Sequence, residues 1–196
     1  MSKLLEYDLV LVGDASGSMS SPMPNGKTRW VHMQESMKSM ARDMASLDDD
    51  GIGMVIFSGS AVTSKDGVKV EEIDQIFNDR SPRGSTPLHT ALEEALKLAG
   101  KSTDKKDLIV IYTDGEPDDP KAVESVIRNA ANKLNQDDEL TLLFVQVGDD
   151  PAAAKYLAGL DDSLKGAKFD IVDVKTQAEA DSFPTTEALL LAAIDD

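Results

Sequence analysis

The sequence predicts a doubly wound α/β domain, a parallel sheet covered by helices on both faces. Three observations lead there. The candidate strands are apolar along their whole length, as strands buried on two sides must be. They alternate with segments whose apolar residues recur every three or four positions. Turn-forming residues, often Asp-Pro or Asp-Gly, punctuate nearly every change of period.

Leu9-Val-Leu-Val12 is the first strand and ends at Gly13-Asp14. A loop from Met19 to Thr28 contains Pro22, Pro24 and Gly26. Trp30, Met33, Met37, Met40, Met44 and Leu47 then fall on one helical face, which Asp48-Asp-Asp-Gly51 should end. Ile52 to Phe57 is the second strand, and Ala61 to Val70, a weaker pattern, reads as a short edge strand. A short helix is expected from Glu71 to Asp79. Leu88, Ala91, Leu92, Ala95 and Leu96 form the next stripe, with Thr86 as cap and Pro87 at the first helical position.

Leu108-Ile-Val-Ile-Tyr112 is as apolar as the first strand. Asp119-Pro120 opens a helix whose inner face is Val123, Val126, Ile127, Ala130 and Leu134. Leu140 to Val147 is a strand, and Asp150-Pro151 opens a helix carrying Tyr156, Leu157, Leu160 and Leu164. Phe169 to Val174 is the sixth strand and Thr185 to Ile194 the last helix. No repeat, low-complexity tract or linker interrupts the series, so residues 1–196 are read as one domain.

Composition removes several classes of function. The 20 basic and 36 acidic residues leave a formal charge of −16, the wrong sign for neutralising phosphates or docking on anionic lipid. We therefore expect neither nucleic acid nor membrane as a partner. There is no cysteine, hence no disulfide and no thiolate metal site. Acidic Glu6 and Asp8 interrupt the start before a secretory apolar core could form, and no apolar run is long enough to span a bilayer. The expectation is a cytoplasmic protein.

In a doubly wound sheet, ligands bind outside the carboxyl ends of the strands where the strand order reverses. The first strand runs into Asp14-Ala-Ser16-Gly-Ser18, the Leu108 strand into Thr113-Asp114-Gly115, and the loop before the Leu88 helix contains Thr86. Taken singly, each has a plain structural explanation as a cap or a turn residue. Taken together, they bring two carboxylates and three hydroxyls to one edge. An all-oxygen set suits a hard divalent cation, Mg2+ first, with Mn2+ or Ca2+ as alternatives. Two carboxylates balance the ion's charge and the hydroxyls add only dipoles. A metal so held would take an outside anionic oxygen, such as the carboxylate of a glutamate or aspartate on another protein.

Asp14-x-Ser16-x-Ser18, Thr86 and Asp114-Gly115 resemble the metal-ion-dependent adhesion site of von Willebrand factor type A domains. The resemblance extends over the whole order of elements. It implies Ser16, Ser18 and Thr86 as hydroxyl ligands, with Asp14 and Asp114 coordinating directly or through water. It also implies a six-stranded sheet with one antiparallel edge strand, for which Ala61 to Val70 is the candidate. Gly13 departs from the bulkier residue often found before the first aspartate. By analogy with bacterial members, a ring-forming ATPase is a further partner class. In relatives, ligand binding shifts the threonine loop and the C-terminal helix, here Thr86 and Thr185 to Ile194.

The expected function is thus a non-catalytic, metal-dependent protein-binding module. The alternative is a Mg2+-dependent phosphoryl-transfer enzyme of the haloacid-dehalogenase type, which also begins with an aspartate after the first strand. That chemistry needs a second acid two residues on, and Ser16 stands there. No Gly-x-Ser-x-Gly elbow and no phosphate-binding Gly-x-x-x-x-Gly-Lys loop is present. The methionine stripe is read as core, and Arg80 and Arg83 as solvated loop charges. His89 reads as a rim residue, and Met19 and Met23 stand equally as loop packing or as a rim for a partner.

Overall fold

A computed structural model of the protein describes residues 2–45, 51–101, 104–162 and 164–196. Six strands form one sheet: β1 (Tyr7–Asp14), β2 (Ile52–Ser58), β3 (Ala61–Val68), β4 (Lys106–Thr113), β5 (Leu140–Gln146) and β6 (Val172–Thr176). Their order across the sheet is β3-β2-β1-β4-β5-β6. All neighbours are parallel except β2 and β3, which pair antiparallel. This is the expected doubly wound architecture with its antiparallel edge. β3 tolerates the edge because it is half solvated and carries Lys65 and Asp66, charges that discourage pairing with another chain.

The pleat divides the core into two layers. Leu9, Leu11, Met54, Ile56, Leu108, Val110, Leu143 and Val145 face one side. There they meet α1 (Arg29–Met44) and α7 (Thr186–Ile194). The alternate residues Val10, Val12, Val55, Phe57, Ile109, Ile111, Leu142 and Phe144 face the other side. They meet α3 (Leu88–Ala99), α4 (Pro120–Ala131) and α5 (Pro151–Asp162). Because neighbouring residues on each strand serve opposite layers, a charge inside these strands would be buried on either face.

The methionine stripe is core: Trp30, Met33, Met37, Met40 and Met44 are buried on α1. Leu47 and the Asp48–Asp50 stop lie outside the described residues. Gly13 belongs to this packing. An added Cβ would sit 2.9 Å from Ile56 Cδ1, 3.1 Å from Met37 Sδ and 3.2 Å from Met33 Cε. The space beside Gly13 is filled by long side chains from α1 and β2. Met19 is fully buried and Met23 packs against the same cluster, so Met19 is not a surface rim.

Some boundaries differ from expectation. The helix after Thr86 starts at Leu88, with Pro87 in the capping position and no side-chain cap bond. Thr86 therefore does not spend its hydroxyl on capping. The sixth strand is Val172–Thr176 rather than Phe169 to Val174, since Phe169 packs against the core from outside the strand. The expected Glu71 to Asp79 helix is a 3-10 turn followed by α2 (Ile73–Asn78). A further helix, α6 (Gln177–Ser182), was not anticipated. It begins with a capping box of Thr176 and Glu179. On α4 the fully buried residues are Val123, Ile127 and Ala131, with Val126 and Ala130 partly covered; Leu134, expected on this helix, packs on the same core from beyond its end at Ala131.

Candidate functional site

The strand order reverses between β1 and β4, whose neighbours lie on opposite sides of the sheet. Asp14 is the last residue of β1, and Asp114 follows the last residue of β4. Both carboxylates are buried at this crevice. The short 3-10 turn Gly17–Ser20 carries the chain away from β1 and turns the serines back toward Asp114.

A continuous hydrogen-bond relay links four of the five predicted residues. The Ser16 amide donates to Asp14 Oδ1 at 2.7 Å. Ser16 Oγ and Ser18 Oγ are 3.2 Å apart, and Ser18 Oγ donates to Asp114 Oδ1 at 2.7 Å. Thr86 enters from the neighbouring loop and is buried, with 7 % exposure. Its amide donates to Asp118 Oδ1 at 3.0 Å, and its carbonyl accepts from the Asp118 amide at 3.0 Å. No side-chain bond joins Thr86 to the other four. Its loop is instead tied to theirs through the main chain: Gly17 N donates to Gly84 O, and Arg83 N to Ala15 O.

Three contributors escaped the sequence reading. Thr113 Oγ1 donates to Asp14 Oδ2 at 2.7 Å, so both oxygens of this buried carboxylate are engaged. Its position was readable, one residue past the register pair Gly13–Tyr112. Asp118 positions the Thr86 backbone, while Asp119 caps α4 as expected of a helix start. Arg29 Nη1 donates to Asp114 Oδ2 at 2.8 Å. Nothing in the sequence marks Arg29, because the contact depends on how α1 approaches β4. Arg83 is exposed, Arg80 and His89 are half-buried, and Glu116 is exposed.

Burial dominates the electrostatics of Asp14. Desolvation raises its pKa from 3.8 to about 6, against the opposing hydrogen bonds from Ser16 and Thr113, and the nearby Asp114 charge adds to the rise. A divalent cation would supply the missing counter-charge and favour the ionised form.

The donor set fits such an ion. Metal–oxygen bonds of about 2.1 Å in an octahedron place adjacent ligand oxygens about 3 Å apart. The Ser16–Ser18 and Ser18–Asp114 separations of 3.2 and 2.7 Å bracket that edge. Among the described residues no three His, Asp or Glu side chains converge on a metal position. The candidate centre instead combines two carboxylates with hydroxyls, a set selective for hard cations.

No curated protein gives a significant match to the sequence. Solved structures do resemble it. The PilB minor pilin from Streptococcus sanguinis superposes with a TM-score of 0.65 at 13 % identity, over 96 % of this chain and 60 % of the pilin. The manganese-loaded TRAP protein of Plasmodium vivax gives 0.65 at 19 % identity, over 89 % of this chain and 70 % of that one. The VWA domain of SpRpn10 gives 0.61 at 11 %, over 95 % and 93 %. At these identities the likeness concerns the fold, and the chain spans less than two thirds of the pilin's length. The model of the von Willebrand factor type A domain matches residues 8–169, most of the chain. With that match, the six-stranded sheet and the crevice at its switch point belong to a von Willebrand factor type A domain, a family whose members typically serve in adhesion and protein binding.

Proposed function

We propose that the protein is a non-catalytic binding module in which Asp14, Ser16, Ser18, Thr86 and Asp114 hold Mg2+, and a glutamate or aspartate of a partner protein completes the coordination. The observation that carries this reading is the convergence of the Ser16, Ser18 and Asp114 oxygens beside buried Asp14 at the switch point, an oxygen-only cluster joined over 3.2 and 2.7 Å. The bound ion would supply an electrophilic position for the partner's carboxylate. The protein's own groups do the rest. The hydroxyls add no charge, so the centre stays attractive to an anion. Thr113 and the Ser16 amide hold Asp14 in one orientation. The Thr86 hydroxyl, unused in capping, is available to a ligand.

Mn2+ and Ca2+ fit the same donors. A cytoplasmic role as adaptor of a larger, ATPase-containing assembly accords with the acidic, cysteine-free composition and rests on analogy. Phosphoryl transfer is the weaker reading. A nucleophilic aspartate needs an oxygen open to the substrate, whereas Asp14 is fully buried and both its oxygens accept hydrogen bonds.

The test is calorimetric titration of the purified protein with Mg2+, paired with affinity capture in Mg2+ and in chelator. Saturable binding lost in Asp14→Ala, and captured proteins released by chelator, are the expected results. Equal capture in both buffers would overturn the reading.

A further inference from the structure

The Arg29–Asp114 ion pair places a permanent cation inside the candidate metal centre. Arg29 is the first residue of α1, where the Thr28 side chain accepts from Val31 N and the Arg29 amide donates to Ser21 O at 3.0 Å. Its stem is thus fixed beside the serine turn. The guanidinium lies against Gly148, where an added Cβ would stand 2.6 Å from Arg29 Nε and 2.9 Å from Cζ. A side chain at 148 would push it from this position. The Arg29 side chain is 16 % exposed and that of Asp114 is 0 % exposed, so the contact is largely shielded from water. The remaining partner, Asp149, is 3.9 Å away and 97 % exposed, too distant and solvated to compete.

Both oxygens of Asp114 are therefore engaged, Oδ1 by Ser18 and Oδ2 by Arg29. A divalent cation drawing on Asp114 must share that carboxylate with a guanidinium that never loses its proton. We propose that Arg29 is a resident counter-cation that weakens metal binding in the free protein and, once metal is bound, strengthens the pull on an incoming carboxylate. This rests on the metal-centre reading above. The charge arithmetic is direct. Without Arg29 the two aspartates and a divalent ion sum to zero; with it the loaded site carries +1. A neutral centre holds its metal more firmly, and a positive one attracts an anion more strongly.

The two effects have opposite signs, which a purely structural arginine would not produce. The experiment compares wild type, Arg29→Gln and Arg29→Lys by calorimetric titration with Mg2+, by thermal melts with and without Mg2+, and by acetate titration of the Mn2+-loaded proteins followed through water-proton relaxation. Arg29→Gln should bind Mg2+ at least about tenfold more tightly and gain more melting temperature from Mg2+ than wild type does, because the metal replaces a missing buried charge. It should bind acetate more weakly. Arg29→Lys, which keeps the charge without the planar fork, should fall between and safeguards the comparison if the glutamine variant folds poorly. Metal binding by wild type with unchanged Mg2+ affinity in both variants overturns the role of Arg29 and leaves the metal centre standing. Metal binding by none of the three overturns the metal centre itself.

Discussion

Strands β1 and β4 each carry an aspartate near both ends, and the two ends treat their carboxylates differently. At the carboxyl end, Asp14 and Asp114 are surrounded by donors: the Ser16 amide, Thr113, Ser18 and Arg29. At the amino end, Asp8 and Asp107 are paired across the parallel register. Lys105 Nζ lies 2.8 Å from Asp8, while Asp107 Oδ1 is buried with no hydrogen-bond partner. Burial, reinforced by the Asp8 charge, raises the Asp107 pKa from 3.8 to about 7. One end surrounds its carboxylates with hydrogen-bond donors, whereas at the other burial and the neighbouring charge favour the protonated form of Asp107.

The sharpest way to break this contrast is to remove one member from each end. Asp14→Ala or Asp114→Ala should reduce Mg2+ affinity by more than about a hundredfold in calorimetry, since each deletes a formal charge and a ligand from the set. Asp107→Asn should leave Mg2+ affinity unchanged. Equal losses at the two ends would erase the distinction.

A second test removes a supporting donor only. Thr113→Val leaves Asp14 Oδ2 buried without its partner and should cost about 1–3 kcal/mol of stability in chemical denaturation. Added Mg2+ should recover part of it. Gly84→Ala should act through the backbone: Gly84 has φ +72°, and an added Cβ would lie 3.0 Å from Gly59 Cα. We expect a loss of about 1–3 kcal/mol, with weakened metal binding as Thr86 is displaced.

The smallest effect is a pH dependence. The native state of Asp107 binds its proton more tightly than the unfolded chain does. Its contribution to stability is therefore present at low pH and declines as pH rises from 3.8 to about 7. Asp107→Asn abolishes that decline. The variant should melt like wild type near pH 3.5 and higher than wild type at pH 8, by on the order of 1 kcal/mol after allowing for partial solvation. A variant less stable than wild type at pH 8 would mean that the charged form is favoured.

The sequence carried the architecture wherever a pattern repeats. The stripe from Trp30 to Met44 obeys helical spacing, and every described member is buried. The strands are apolar throughout because both faces are covered. Patterns too short to repeat were misjudged. Phe169 and Ile171 imitate a strand but precede it, and α6 is a six-residue polar helix visible only through its Thr176–Glu179 box. At the candidate site, Asp14, Ser16, Ser18 and Asp114 stood out because they follow strand ends directly, and the structure joins these four in one relay. Thr86 was legible in place, but the helix cap also read into it does not form, because the helix starts one residue later than its proline suggested. Arg29 was invisible because its function depends on which strand faces the start of α1, a property of strand order and not of local sequence.

The main-chain stitching between loops bears on how the domain could respond to a guest. Gly17 is bonded to Gly84, Ala15 to Arg83 and Phe57, and Gly59 to Ser85, so the segments from three crossings form one plate. A sliding Thr86 would have to unzip several of these bonds together.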